Sequence, residues 1–146
     1  MAFVTDIPLR WGDMDAYGHV NNATFVTLLE QARVYAFESR PRDLRGVKLL
    51  GSGIVVVEHT IRYRRQVRFS PVPLRAVLWI DKLTSVTYTT AYELWNVSGE
   101  QPELAVTAST ILAPVNFETG RPRRFTADER DYLQSFTAPE DHDRPA

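Results

Sequence analysis

The chain has 146 residues, no cysteine, and 17 lysine plus arginine against 18 aspartate plus glutamate. That length suits one domain able to bury a core without disulfides or metal. The missing cysteine excludes thiolate nucleophiles, disulfides and cysteine-zinc sites, and the near-neutral balance excludes the global positive field of nucleic-acid and anionic-membrane binders.

Residues 3–10 set Phe3, Thr5, Ile7 and Leu9 against Val4, Asp6, Pro8 and Arg10. This alternation predicts a half-buried strand, and Pro8, which has no N–H, places it at a sheet edge. A polar turn follows, and then Phe25, Leu28, Leu29, Ala32 and Tyr35 or Ala36 recur at helical steps, with Glu30, Gln31 and Arg33 elsewhere. Asn21 or Asn22 is suited to cap this helix, and Pro41 lies past its end. Gly46–Gly53 reads as a connection with Val47, Leu49 and Leu50 turned inward. Ile54–Tyr63 is a long strand with Val57, His59, Ile61 and Tyr63 on one face and Glu58, Thr60 and Arg62 on the other. Arg75–Leu83, Thr87–Val97 and Glu103–Ala113 are further strands, and their short connections favour an antiparallel meander. Thr126 with Glu129 forms a capping-box pattern that opens a short helix through Phe136. The expectation is an α+β domain over residues 1–136, one antiparallel sheet with a helix against a face, and a disordered tail at 137–146. No run approaches the roughly 18–20 apolar residues of a membrane span, and the first residues show no basic segment leading into an apolar one. A cytoplasmic protein without membrane partners is therefore expected.

The run Arg10–Asn22 concentrates two carboxylates, an imidazole and two carboxamides at the start of the helix. An ionised carboxylate can activate water or attack a carbonyl, and unpaired helix N–H groups stabilise negative charge developing on oxygen. Taken alone, Asp13 and Asp15 read first as caps of the turn or helix, where short acids are favoured. Asp13, Asp15 and His19 lack the spacing of zinc motifs and a fourth ligand, so no metal is expected. No nucleic-acid-binding motif accompanies the arginines.

The segment Gly12-Asp13-Met14-Asp15-Ala16-Tyr17-Gly18-His19-Val20-Asn21-Asn22-Ala23, with Leu28-Leu29-Glu30-Gln31-Ala32-Arg33 after it, resembles the signature of hotdog-fold acyl-CoA thioesterases. The likeness is greatest to the 4-hydroxybenzoyl-CoA thioesterase-like branch. It covers the first strand, turn and helix, and the order of the later strands fits it. The resemblance implies a hotdog fold, a five-stranded antiparallel sheet wrapped around a long central helix. It also implies a homodimer or homotetramer whose sheets join edge to edge, with active sites at the interface.

The family's catalytic acid falls on Asp15, as general base or nucleophile. Asn22 and His19 complete the catalytic candidates, with the backbone near Asn22 and Ala23 polarising the thioester carbonyl. Tyr17, Asn21, Ala23, Glu30, Arg62, Arg64 and Arg65 are the substrate-binding candidates. Asp13 is read as fixing the loop, His19 as ordering it or touching substrate, and His59 as a satisfied core or interface histidine. Glu30 matches an acid frequent in the family, although an ion pair with Arg33 accounts for it too. The stripe Arg62, Arg64, Arg65 and Arg68 suits the phosphates of coenzyme A or a solvated strand face, and Arg121, Arg123 and Arg124 form a second patch. The expected reaction is hydrolysis of an acyl-CoA thioester to free acid and coenzyme A. It needs no cofactor, since coenzyme A belongs to the substrate. The rival readings are a non-catalytic acyl-CoA or lipid-binding hotdog protein, which needs the pocket but not the acid, and a hydratase, whose histidine–acid motif is not found here.

Overall fold

The computed structural model describes residues 1–38 and 53–146. Strand β1 (Phe3–Ile7) leads through a 3-10 turn (Trp11–Asp13) and a loop into helix α1 (Asn22–Glu38). Strands β2 (Ile54–Tyr63), β3 (Leu74–Leu83), β4 (Tyr88–Asn96) and β5 (Glu103–Asn116) follow, and a two-residue β6 (Arg121–Pro122) precedes helix α2 (Ala127–Gln134). The connection expected at Gly46–Gly53, with Val47, Leu49 and Leu50, lies outside the described residues except for Gly53, as does Pro41.

The sheet runs β1-β3-β4-β5-β2, antiparallel throughout, with β6 added on β5. The meander β3-β4-β5 forms because its connections are too short for anything but antiparallel neighbours. Helix α1 therefore divides β1 from β2, which become opposite edges of one sheet. Pro8 ends β1 three residues short of the expected boundary, because an imino acid cannot extend the ladder.

Phe25, Leu28, Leu29, Ala32 and Ala36 of α1 are buried against Ile7, Leu74, Ala76, Leu78, Leu94 and Val106. This is the hotdog arrangement, a helix lying along the face of a sheet that bends around it. A second cluster, Tyr88, Leu112, Phe125 and Leu133, is closed by α2. Thr126 caps α2 as expected, its side chain accepting from the Glu129 amide while Glu129 accepts from the Thr126 amide.

Three expectations are corrected. Arg33 was placed on the polar side of α1 but is only 6 % exposed, because its guanidinium donates to Tyr92 Oη at 3.0 Å. Val57 was placed on one face with His59, Ile61 and Tyr63, but a bulge between Val56 and Glu58 makes it the extra residue of β2. Residues 137–146, expected to fray, return to the sheet: Arg144 donates to both oxygens of the buried Glu93, to which Trp95 Nε1 also donates. His59, read as a satisfied core or interface histidine, lies outside the core and is satisfied, its Nδ1 2.9 Å from Thr110 Oγ1.

Glu129 is held by Arg123 through two hydrogen bonds of 2.8 and 2.9 Å. Burial alone would raise its carboxyl, but the hydrogen bonds from Arg123 and then Thr126 outweigh burial and leave it below its ordinary 4.5. A carboxyl lowered by folding contributes stability that is complete above about 4.5 and is lost as pH falls through the folded value. Glu129→Gln should therefore lower stability at neutral pH and flatten the acid limb of a thermal-unfolding series. A variant as acid-sensitive as the parent would show that this pair does not report on folding.

Candidate active site

Asp13 organises the loop before α1. Its carboxylate is 3 % exposed and accepts from the Arg10 amide at 2.8 Å, Arg10 Nε at 3.1 Å and Arg10 Nη2 at 2.9 Å. Its own carbonyl accepts from the Asn21 amide at 2.9 Å. One buried acid thus ties the start of the loop to its end. Between them the chain folds back on itself: Asp15 N–H donates to His19 O at 2.8 Å, Gly18 N–H to Asp15 O at 3.0 Å, and Met14 bridges Val20. Gly18 occupies the left-handed region at φ 76°, where a Cβ would be strained. The Val20 amide then donates to Val67 O at 2.7 Å, which docks the loop on the segment after β2.

Asp15 is aimed by the same geometry. Its Oδ1 accepts from the Tyr17 amide at 2.9 Å, an Asx turn, while among the described residues Oδ2 has no protein partner. One oxygen fixes the side chain and the other remains available to substrate or water.

Asn21, not Asn22, is the helix cap. Its Oδ1 accepts from the Ala23 amide at 2.9 Å, and its carbonyl accepts from Thr24 and Phe25. Of the two amides expected to face a carbonyl, Ala23 is therefore occupied, because a cap satisfies the donor two residues on. Among the described residues the Asn22 N–H has no partner. It sits at the positive end of the α1 dipole.

A cavity of about 690 Å³ opens at this junction. It gathers Asp15, Tyr17, His19, Asn22, Arg64 and Arg65 from the expected set. Asn21 and Ala23 stand beside it in the cap, but neither lines it. Glu30 is exposed two turns along α1, 3.7 Å from Arg33, and Arg62 lies on the opposite face of β2 from Tyr63, paired in register with Thr107. The arginines therefore divide. Arg64 and Arg65 curl over the end of β2 with both amides on Ala105 O, and Arg64 Nε donates to Thr107 Oγ1 at 3.1 Å. Among the described residues the Arg65 guanidinium has no partner, which leaves its charge available to a ligand. Arg123 of the second patch is committed to Glu129.

Val20, Phe25, Tyr63 and Gln66 also line the cavity, though the sequence did not single them out. Phe25 and Tyr63 pack ring to ring at 5.7 Å, and Tyr63 Oη donates to Asn22 O at 2.9 Å. The available signals were faint. Phe25 was the first apolar position of the helix, and Tyr63 the last residue of a strand face that meets it. Among the described residues no group of three or more His, Cys, Asp or Glu side chains is placed to hold a metal ion.

The sequence profile of the thioesterase-like superfamily matches residues 9–141. Among solved structures, a Pseudomonas aeruginosa protein in an orthorhombic crystal form superposes with a TM-score of 0.78 at 24 % identity, over 93 % of this chain and 92 % of its own. A DHNA-CoA thioesterase of Staphylococcus aureus gives 0.75 at 23 % identity, over 92 % and 89 %. A Thermus thermophilus thioesterase complexed with coenzyme A and zinc gives 0.72 at 21 % identity, over 90 % and 91 %. At these identities the likenesses establish a shared fold.

If Asp13 anchors the loop, Asp13→Ala should cost about 1–3 kcal/mol in urea unfolding, since it removes a buried acceptor from several donors at once. A loss below about 0.5 kcal/mol, the range of ordinary surface changes, would show that the loop holds without it.

Proposed function

Because this chain belongs to the thioesterase-like superfamily, and so to a group of thioester hydrolases, we propose that it hydrolyses an acyl-CoA thioester to the free acid and coenzyme A. The observation that carries this reading is that Asp15 and Asn22 line the same cavity and that, among the described residues, one oxygen of the Asp15 carboxylate and the Asn22 N–H have no partner. The thioester carbonyl accepts from the Asn22 N–H, and Asp15 stands toward its carbon.

As a general base, Asp15 takes a proton from water, the resulting hydroxide adds to the carbonyl carbon, and the negative charge moves onto the oxygen facing the helix. Collapse breaks the carbon–sulfur bond, and the thiolate leaves and takes up a proton. As a nucleophile, Asp15 instead expels the thiolate to give a mixed anhydride, which water cleaves. Both routes consume one water and no cofactor. His19, whose carbonyl accepts from the Asp15 amide, orders the loop and presents its ring to the substrate. Arg65, with Arg64 braced on Thr107, meets the phosphates of coenzyme A.

The assembly we propose is a homodimer built on β2. That strand ends the sheet on the side of the cavity, and Val55, Val56 and Val57 are exposed along it. An open apolar edge is a surface that folded proteins cover, and a second copy pairing there continues the sheet and closes the cavity's open side. Among the described residues no helix is long and apolar enough to cross a membrane.

Free-thiol release over a panel of acyl-CoAs tests the chemistry. Asp15→Asn should fold normally yet lose about 10²-fold or more in kcat, with His19→Ala losing less. Parental turnover in Asp15→Asn would remove the acid from the mechanism, and a greater loss in His19→Ala would transfer the role to the imidazole. The assembly is tested separately by placing lysine at both Val55 and Val57 and measuring mass by sedimentation. A single-protomer mass is expected for that variant, against a dimer for the parent, and an unchanged dimer would exclude the β2 edge.

A further inference from the structure

The first residue of α1 is held from two directions. On its N-terminal side the preceding peptide is fixed by Asn21, whose amide goes to Asp13 O and whose carbonyl receives Thr24 and Phe25. On its C-terminal side the Asn22 carbonyl receives the Tyr63 hydroxyl at 2.9 Å, from the last residue of β2. The Asn22 N–H, which among the described residues has no partner, belongs to the residue clamped between these contacts. A helix start with only the cap is free to fray in its first turn, where backbone bonds are fewest. The second contact removes that freedom by tying residue 22 to the sheet.

We propose that Tyr63 is a positioning residue for hydrolysis: its hydroxyl, donating to the Asn22 carbonyl, holds the Asn22 N–H at the place where negative charge develops on the thioester oxygen. This rests on the acyl-CoA hydrolysis argued above and adds to it the part of the chain that sets the donor. Tyr63 is suited to the task because its ring is itself braced, 5.7 Å from Phe25 of the same helix. Ring and hydroxyl therefore grip α1 at two points, one apolar and one polar. Tyr63 lines the cavity, and its hydroxyl donates to the backbone at the helix start. The contact also joins the donor to the edge strand, so that whatever steadies β2 steadies the site.

Tyr63→Phe removes the hydroxyl and keeps the ring. A donor held in place without reorganisation is worth far more than one that must be ordered during reaction, and a displacement on the order of an ångström costs up to about 10²-fold. The expected result is a kcat about tenfold lower, a KM unchanged within about twofold, and an unfolding midpoint close to the parent's. The S-alkyl coenzyme A thioether of the preferred chain, which has no carbonyl oxygen, should bind Tyr63→Phe and parent equally. Full kcat in Tyr63→Phe beside an inactive Asp15→Asn would overturn this inference alone. A raised KM with kcat preserved, or weakened thioether binding, would overturn it by making Tyr63 a substrate contact. Parental turnover in Asp15→Asn would overturn the underlying reading and this inference with it.

Discussion

The constraint on which the rest depends is the closure of the loop between β1 and α1 by a single buried carboxylate. Asp13 receives the backbone and guanidinium of Arg10 on its side chain and the amide of Asn21 on its carbonyl. The last residue of the loop is thereby held near the first, and α1 begins where the cap at Asn21 allows. The direction of the helix is set by its apolar face against the sheet, but the point at which its free amide emerges is set by the loop. Burying an acid this deeply is tolerable only because its acceptors are filled by donors, one of them charged.

Sheet order then decides what the site is made from. Since α1 separates β1 from β2, and the meander fills the middle, the two strands flanking the helix in sequence end at opposite edges. The loop before α1 lies against the segment that follows β2, through Val20 on Val67, so the cavity forms where the loop, the helix start and an open sheet edge meet. The same placement brings Arg64 and Arg65 to its rim. Arg62, one residue earlier, is carried to the other face by the pleat, because neighbouring strand side chains cannot share a side.

What could be read from the sequence was what repeats or what is local. The period of α1, the capping box of α2, the meander and the edge position of β1 all follow from patterns within a few residues, and each is present. The charged turn was visible as a unit because its contacts are local too. What escaped detection is held by partners distant in the chain. Tyr63 reaches Asn22 across 41 positions, Arg33 is buried by Tyr92 across 59, and Arg144 ties the tail to Glu93 across 51. Such pairings depend on strand order and register, which composition does not encode. The bulge at Val57 is of the same kind: a run of three valines carries no mark of which residue the partner strand will skip.

The two acids of the motif show how the same side chain, two residues apart, is given opposite surroundings by the fold. Asp13 has lost its solvent and gained a guanidinium, so its carboxylate is given over to anchoring the loop. Asp15 is only half-buried, and among the described residues its carboxylate has one donor, the Tyr17 amide, on one oxygen. A carboxylate bound on all sides makes a good hinge and a poor base, because each lone pair given to the fold is withdrawn from chemistry. A carboxylate held by one oxygen keeps its aim and its reactivity together. Exchanging the two environments would leave the sequence motif intact and deprive the cavity of its acid, which is why the Asp-x-Asp spacing acquires meaning only with the loop that folds around it.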